Sequence, residues 1–363
     1  MLPASMPPLR TETWLAAAHP RLAGTVPWRP LAHVPTPVHD CGAIADWLGR
    51  DGVWCKRDDA ISPVYGGNKV RRYEHLFAEA ELRGARALVT AGGFGSTQVL
   101  ATVMLGRAAG FAVSAALFEQ PATTFARRTL LGGIGAGGDL IYGGGYVMTA
   151  LRTLLAYRRA ERPYLILPGA SNPMANLGYV DAMLELDGQV RAGALPRPDV
   201  IVVAAGSSGT TVGLAVGAAL LGWPTRVVGV RITDRIACNR ATVGALAAAT
   251  ARFLGKRAAL PAPLRRRDVR FDIEHRAAGG GYGHPTPEAI EAVAQVERLT
   301  GSPGEITYTG KALAVVRRVC AEQPTANVLY WHTLSGISPP LPEDVLERVP
   351  APMRPFLEGP VPV

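Results

Sequence analysis

The sequence predicts an α/β fold with two doubly wound, mainly parallel sheets. Apolar runs of four to seven residues alternate with helical segments along most of the chain. Continuous runs of this kind are typical of strands that are buried on both faces, as they are in parallel sheets. The alternation falls into two blocks, which are separated by the linker 192–198. We therefore expect each block to form one sheet covered by helices.

The first block follows an irregular, proline-rich segment that ends near residue 35. Its predicted strands are 53–56, 87–91, 112–118, 139–142 and 164–167. Its predicted helices are 97–109, 123–131, 146–159 and 174–186. A loop that contains Lys69 follows the first strand, and a helix is expected to start at this lysine.

The second block repeats the alternation. Its predicted strands are 200–204, 226–232 and 327–331, with a further short apolar segment at 269–273. Its predicted helices are 210–221, 235–253, 287–299 and 310–319. Because ligands bind at the carboxyl ends of the strands in such sheets, the loops that follow the strands are where a functional site is expected.

The net charge of +9 allows an anionic partner, but it also fits a chain whose basic residues are nearly all arginine. The densest basic run, 252–270, has only one aromatic residue for base stacking and contains no nucleic-acid motif. We interpret this run as a solvated face, so no nucleic-acid partner is expected. Four scattered cysteines predict a reduced, cytoplasmic protein without a metal site.

One uncharged run, 200–225, is long enough to cross a bilayer. Its polar centre, 206–211, divides it into a β-branched half and a half rich in alanine and leucine. A buried strand, a polar loop and a buried helix explain this division better than a membrane span. No membrane association and no signal peptide are expected.

The most informative stretch is Gly66-Gly67-Asn68-Lys69. The chain has only four lysines among its 38 basic residues. An amine, unlike a guanidinium, can lose its proton and attack a carbonyl, and the two glycines let the backbone approach a flat ligand. The hypothesis is that Lys69 forms a Schiff base with an aldehyde cofactor. The alternative is a surface lysine in a turn.

Three loops that follow strands carry small, polar residues: 91–98, 206–211 and 331–336. We expect all three to open on the same edge of a sheet. The loop 206–211 enters a helix and can present backbone amides and hydroxyls to a phosphate, although a flexible turn with a helix cap would leave the same pattern. A phosphate loop, a deprotonatable lysine and no nucleotide-binding signature together point to pyridoxal 5′-phosphate.

The chain resembles the fold-type II, tryptophan synthase β-like family of pyridoxal-phosphate enzymes. The resemblance is to the branch that holds 1-aminocyclopropane-1-carboxylate deaminase and D-cysteine desulfhydrase. It rests on an ordered series of motifs: Lys56-Arg57-Asp58-Asp59, Gly66-Gly67-Asn68-Lys69, Gly169-Ala170-Ser171-Asn172-Pro173, the loop 206–210, Tyr308-Thr309-Gly310-Lys311 and His332-Thr333. The family fold implies a small domain, 72–178, inserted into a large cofactor-binding domain made of 1–71 and 179–363.

The resemblance also implies roles for individual residues. Catalytic roles fall to Lys69 as the Schiff-base lysine, to Ser96 at the substrate carboxylate or in proton transfer, and to Tyr282 and Tyr308 facing the substrate. The cofactor would be held by Lys69 and by these further residues: Asn68, Arg72, Thr97, Gly206, Ser207, Ser208, Gly209, Thr210 and Thr333. Thr97 replaces the family's asparagine beside the ring oxygen of the cofactor, whereas Thr333 matches the hydroxyl residue at the pyridine nitrogen.

The implied activity is that of a lyase, active on a small amino acid by α-proton abstraction and β-elimination. D-Cysteine, giving pyruvate, ammonia and sulfide, is the lead substrate, because Thr309 replaces the glutamate of the deaminases. The alternatives are a deaminase, a biosynthetic enzyme of β-replacement, γ-elimination or racemisation on an unusual amino acid, and a non-catalytic homologue that binds the cofactor. The family further implies a homodimer.

Overall fold

The computed structural model describes residues 6–361 and contains ten strands within that range. The strands are β1 Val38–Asp40, β2 Val53–Arg57, β3 Ala87–Gly93, β4 Ala112–Phe118, β5 Asp139–Gly144, β6 Pro163–Leu165, β7 Val200–Ala205, β8 Arg226–Arg231, β9 Phe271–Glu274 and β10 Val328–His332. The helices are α1 Trp14–Ala18, α2 Ala45–Leu48, α3 Lys69–Leu82, α4 Thr97–Ala108, α5 Thr124–Gly135, α6 Tyr146–Arg159, α7 Leu177–Arg191, α8 Gly209–Leu220, α9 Arg240–Ala258, α10 Pro287–Thr300, α11 Thr309–Glu322 and α12 Arg354–Glu358.

The strands form two sheets. The larger sheet has the order β1-β2-β10-β7-β8-β9, and within it β1 runs antiparallel to β2 while the other neighbours are parallel. The smaller sheet has the order β5-β4-β3-β6 and is parallel throughout. The prediction of two mainly parallel sheets is confirmed. The chain leaves the larger sheet after β2 and returns to it at β7, whereas the domain boundaries 72 and 178 stay a prediction.

The central strands form because their sequences are apolar on both faces. Every residue of β3 and β7 is buried, as expected for strands covered by helices on both sides. Helix α8 lies close to α7 because Gly213 has no side chain. A Cβ at Gly213 would lie 2.4 Å from the Cβ of Tyr179. Among residues 6–361, no helix has both the length and the apolar character needed to cross a bilayer.

The bounds of several predicted elements differ from the observed ones, and two of these differences have a clear cause. The helix predicted over 235–253 starts only at Arg240, because the side chain of Asn239 accepts the backbone N–H groups of Ala241 and Thr242 and so caps the helix there. The strand predicted at 164–167 is Pro163–Leu165, and a turn that leads into the site follows it. Strand β1 was not predicted.

The chain after β10 packs back onto the smaller sheet. Val345, Val349 and Met353 are buried in the same apolar cluster as Leu130 of α5. The guanidinium of Arg127, also in α5, donates to the backbone carbonyl of Phe356 over 3.0 Å. The described part of the tail that follows β10 is therefore packed onto the fold.

We expected the three polar loops to open on one edge of one sheet, but they do not. The loop 91–98 follows β3 of the smaller sheet, whereas 206–211 and 331–336 follow β7 and β10 of the larger one. Residues of the first two loops line a common cavity. The expectation was wrong because apolar runs show which segments are strands but not which sheet each strand joins.

Candidate active site

A cavity of about 330 Å³ contains most of the predicted site residues. Those that line it are Asn68, Lys69, Arg72, Ser96, Gly206, Ser207, Ser208, Thr210, Tyr282 and Tyr308. Thr97, Gly209 and Thr333 are not part of its lining. A larger groove of about 1080 Å³ lies along α9, but it contains none of these residues. The cavity at Lys69 is therefore the candidate active site.

Lys69 is buried at the start of α3, with 9% of its surface exposed. Its Nζ donates to Oδ1 of Asn68 over 2.8 Å, and no ion pair of Lys69 occurs among residues 6–361. Burial, and then the charge of Arg72, lower the pKa of this amine well below its ordinary value. The lowered pKa increases the fraction of Lys69 that is neutral, the state in which an amine can attack a carbonyl.

The loop before Lys69 is fixed against the end of β10. Gly67 has φ +86°, and a Cβ there would lie 2.5 Å from the carbonyl oxygen of Thr333. The same carbonyl accepts the backbone N–H of Asn68 over 3.1 Å. Only glycine allows this close approach and this conformation, so the glycines before Lys69 position the amine.

Arg72 lies one turn after Lys69 and is 1% exposed. Its guanidinium donates to the carbonyl of Gly169 at 2.7 Å and to the hydroxyls of Ser171 and Thr210 at 3.1 and 2.5 Å. In the described part of the chain its Nε has no hydrogen-bond partner and no carboxylate pairs with it. Burial lowers the pKa of Arg72 to about 10. A buried cation without a counter-ion fits a site that binds an anion.

The loop 206–210 completes this cradle. Ser208 adopts φ +62°, and α8 begins immediately after it at Gly209. A Cβ at Gly209 would lie 2.4 Å from side-chain oxygens of Asn176 and Ser171, so the loop packs as closely as a backbone can. The first amides of α8 have no acceptor within the helix. With the hydroxyl of Thr210 and the guanidinium of Arg72, they provide the donors that a phosphate group requires.

Ser96 has a structural role as well as a place in the cavity. It is the N-cap of α4, where its Oγ accepts the backbone N–H of Val99 over 3.3 Å. Its own proton remains available for a ligand. The neighbouring Thr97 is hydrogen-bonded to the hydroxyl of Tyr308. Burial raises the pKa of Tyr308 well above its ordinary value, and the hydrogen bond with Thr97 partly opposes this rise.

The hydroxyl oxygens of Tyr282 and Tyr308 lie 2.9 Å apart. Burial raises the pKa of Tyr282 to about 12 and that of Tyr308 well above its ordinary value. Both phenols are therefore protonated at neutral pH, and one of them can donate to a ligand while it accepts from the other.

Several residues that line the cavity or bind Arg72 had not been predicted. Ser171 and Gly169 occur in a motif that the family resemblance quoted, but no role was attached to them. Phe118, Tyr146 and Asp234 had no signal in the sequence, because only the packing of the two sheets brings them to the cavity.

An α/β fold in which a buried amine adjoins an anion cradle defines a class of enzyme that holds a phosphorylated carbonyl cofactor covalently. The family model described as "Pyridoxal-phosphate dependent enzyme" matches residues 30–333. The chain belongs to this family, and its cofactor is pyridoxal 5′-phosphate.

Two known proteins extend the comparison. The chain is 35% identical over 293 residues to a D-cysteine desulfhydrase of Klebsiella pneumoniae (strain 342), an alignment that covers 78% of this chain and 85% of that protein. Its fold is similar to the crystal structure of an ACC deaminase homologue, with a TM-score of 0.73 and 23% identity over 92% of this chain and 99% of the other.

Proposed function

We propose that the protein is a pyridoxal-phosphate dependent lyase that resembles D-cysteine desulfhydrase. It removes the α-proton of a small amino acid and eliminates the β-substituent, so that D-cysteine gives pyruvate, ammonia and sulfide. The observation that carries the proposal is the cavity in which the buried amine of Lys69 lies beside the buried cation Arg72, which has no carboxylate partner among residues 6–361. The 35% identical desulfhydrase supports the choice of reaction.

In this proposal different residues of the cavity bind the two functional groups of the cofactor, its aldehyde and its phosphate. Lys69 holds it covalently, and Arg72, Asn68 and the loop 206–210 bind its phosphate. Asn68 helps because its Nδ2 donates to Oγ1 of Thr210 over 3.1 Å and so fixes the hydroxyl that faces the phosphate. When bound, the cofactor withdraws electrons from Cα of the substrate and so acidifies the α-proton. Contacts of Thr97 and Thr333 with the cofactor ring stay predictions of the family resemblance.

The proton is moved by Lys69, because its lowered pKa increases the neutral fraction of the amine that can act as a base. The Ser96 hydroxyl oxygen accepts the backbone N–H of Val99, which leaves the hydroxyl proton free. Ser96 donates this proton to the substrate carboxylate. Ser96 thereby orients Cα toward Lys69. The amide of Val99 holds the Ser96 hydroxyl in place, so the substrate meets a preorganised donor.

Tyr282 and Tyr308 act on the leaving group. Both are protonated at neutral pH, and their hydroxyls form a pair that can pass a proton to a departing thiolate. A proton supplied there stabilises the charge that develops as the carbon–sulfur bond breaks.

Elimination is favoured over cyclopropane ring opening because the cavity lacks the glutamate of the deaminases. Thr309 occupies that position, and the nearest carboxylate on the same turn, Glu305, accepts the backbone N–H groups of Thr307 and Thr309. Glu305 caps the start of α11 and is not part of the cavity lining.

We propose further that the enzyme is a cytoplasmic homodimer. Its four cysteines are free and buried, which suits a reducing compartment. Helix α6 exposes a row of apolar side chains, among them Val147 and Leu151, that a second subunit would cover. Light scattering of the purified protein tests the dimer directly.

The test of the activity is the visible spectrum of the purified protein, with product analysis. We expect a yellow protein whose absorption changes on addition of D-cysteine, with pyruvate and sulfide formed in equal amounts. L-Cysteine and 1-aminocyclopropane-1-carboxylate serve as comparison substrates, and the latter would give 2-oxobutanoate. A yellow protein that forms pyruvate from neither cysteine would overturn the proposed reaction, and a colourless protein that the cofactor cannot turn yellow would overturn the proposed role of Lys69.

A further inference from the structure

Four aromatic rings line the cavity in one continuous row. Tyr308 and Tyr282 have ring centroids 6.2 Å apart, Tyr282 and Phe118 6.4 Å, and Phe118 and Tyr146 4.7 Å. Adjacent rings meet at angles of 82°, 61° and 53°, and all four line the cavity. We call these four residues the aromatic wall.

The aromatic wall runs from the interior of the cavity to solvent. Tyr308 precedes α11 and its hydroxyl is bonded to that of Tyr282, whereas Phe118 ends β4 and Tyr146 begins α6. Tyr146 is 63% exposed, so the wall ends at the surface. Phe118 and Tyr146 belong to the segment that builds the smaller sheet, whereas Tyr282 and Tyr308 lie in the chain between β9 and β10 of the larger one. Because all four rings line the same cavity as Lys69, they form one side of a passage that leads to this lysine.

Gly93 keeps this passage open. A Cβ at Gly93 would lie 2.4 Å from Oε1 of Gln120, and 3.1 Å from both Cε2 of Phe118 and Cε1 of Tyr282. The missing side chain lets the two rings approach each other at the end of β3 and leaves their cavity-facing surfaces uncovered. Any larger residue there would fill the place between them.

The charges of the passage are few beyond the cofactor site. Asp234 is the one carboxylate among the described lining residues, and it lies near Tyr146 at the mouth, where burial and then the charge of Asp234 raise the pKa of Tyr146. Aromatic surfaces gain most from contact with another ring or an apolar group. A sulfide leaving group carries no ring or apolar group that could contact these aromatic surfaces.

We propose that the preferred substrate is a cysteine thioether whose sulfur carries an aromatic or large apolar group, and that this group lies along the aromatic wall. This rests on the proposed β-elimination. For S-benzylcysteine the α C–H and the Cβ–S bonds break, the thiolate takes a proton, and water hydrolyses the remaining enamine. S-Benzylcysteine and water thus give phenylmethanethiol, pyruvate and ammonia, with no oxidant or reductant required.

The experiment compares S-benzylcysteine with S-methylcysteine, each as the D and the L enantiomer, by pyruvate release from the cofactor-loaded enzyme. Both have a thioether sulfur as the leaving atom, so their difference reports the side group. We expect kcat/KM to be at least about tenfold higher for the benzyl compound, the ratio that corresponds to 1.4 kcal/mol. Equal values, or a preference for the methyl compound, would overturn the inference while the proposed function stands.

Substitutions in the aromatic wall test which rings cause the preference for the benzyl compound. Phe118→Ala should lower the benzyl-to-methyl ratio of kcat/KM by about tenfold, and Tyr146→Ala should lower it by about threefold because that ring is partly in solvent. Tyr157→Ala is the matched control, since Tyr157 is an exposed tyrosine on the same helix outside the cavity. Gly93→Ala should also lower the ratio. An unchanged ratio in Phe118→Ala would contradict the proposal.

A second readout separates this inference from failure of the activity. The cofactor-loaded protein is titrated with each thioether, and binding is followed by calorimetry. Tighter binding of the benzyl compound, lost in Phe118→Ala, supports the aromatic wall independently of turnover. D-Cysteine is included as the reference substrate. Pyruvate from D-cysteine but from neither thioether, or from the methyl thioether alone, overturns only the inference, whereas pyruvate from none of these compounds overturns the proposed function and the inference with it.

Discussion

Arg71 and Arg72 are neighbours on α3 and both are buried, yet their surroundings differ in kind. Arg71 pairs with Asp58 and with Glu185, each at 2.8 Å. Arg72 has hydroxyls and a carbonyl as partners, and no carboxylate pairs with it among residues 6–361. Burial opposes both charges, but Asp58 and Glu185 raise the pKa of Arg71 well above its ordinary value, whereas burial lowers that of Arg72 to about 10.

Two lysines repeat the contrast. Lys56 is fully buried, pairs with Glu185 and donates to the carbonyl of Thr36 over 2.8 Å. Among residues 6–361, Lys69 has Asn68 as the one hydrogen-bond partner of its amine and has no carboxylate partner. A buried cation that is paired with a carboxylate is compensated within the fold. A buried cation without such a partner is compensated only when an anionic ligand binds. Helix α3 thus contributes Arg71 to an ion-pair network that stabilises the fold, and Lys69 and Arg72 to the candidate active site.

The largest effect should come from Lys69→Ala. Turnover should fall by about 10³-fold or more and the yellow colour should be lost, because nucleophile and base are removed together. The free energy of unfolding of the cofactor-free protein should not fall, since no ion pair is broken. Pyruvate release, absorption and urea unfolding measure the three quantities. Lys256→Ala, at an exposed lysine, is the control and should keep colour and activity; an active Lys69→Ala protein would refute the contrast.

Glu185→Gln should act in the opposite way. Arg71 and Lys56 would lose charge compensation while they remain buried, so the free energy of unfolding should fall by about 3–5 kcal/mol. The protein that remains folded should still bind the cofactor. Urea unfolding of this variant can be compared with that of Glu291→Gln, which removes an exposed pair with Arg317 and should cost less than about 1 kcal/mol. Similar losses in both variants would mean that the network around Arg71 does not stabilise the fold.

Arg72→Gln should weaken binding of the cofactor and leave the fold intact. Loss of a charged hydrogen bond to phosphate is worth about 1.5–3 kcal/mol, or roughly 10- to 150-fold in Kd. Pyridoxal, which lacks the phosphate, is the matched control ligand, and its affinity should be the same in both proteins. Absorption titrations measure both. Equal weakening for both ligands would place Arg72 away from the phosphate.

The smallest effect concerns pH. Because Lys69 has a lowered pKa in the folded state, the unfolded chain binds more protons between that pKa and about 10.4, the ordinary value for lysine. The free energy of unfolding of the cofactor-free protein should therefore rise with pH in this window, by up to about 1.4 kcal/mol per pH unit relative to Lys69→Ala. Urea unfolding of both proteins from pH 7.5 to 9.5 checks the slope. If the free energies of unfolding of the two proteins changed with pH in parallel, the pKa of Lys69 in the folded protein would have its ordinary value.

The sequence predicted those features that depend on local pattern. Buried apolar runs gave β3, β7 and β10 almost to their ends, and the rarity of lysine singled out Lys69. The loop 206–210 was recognisable because glycines and hydroxyl residues precede a helix. Each of these signals is contained in fewer than about ten consecutive residues, which is why one sequence was enough.

The rest depends on contacts between distant segments. Nothing local distinguishes Arg71 from Arg72, since the difference lies in Asp58 and Glu185, which reach one arginine and not the other. Phe118 looked like one more apolar residue of a strand, and Tyr146 like the start of a helix. The contact of the Thr333 hydroxyl with the cofactor ring stays a prediction of the resemblance, whereas no local pattern predicted that the carbonyl oxygen of Thr333 accepts the backbone N–H of Asn68.

The packing of the tail onto the fold has a kinetic consequence. The chain crosses between the sheets after β2 and after β6, and the segment after β10 adds a third connection, anchored by Met353 and by the bonds of Arg127 to Phe356 and Gly359. Enzymes that close over a substrate must open again to release the product. Here any rotation of the smaller sheet also has to displace the tail, so residues that contact neither cofactor nor substrate share control of the turnover rate.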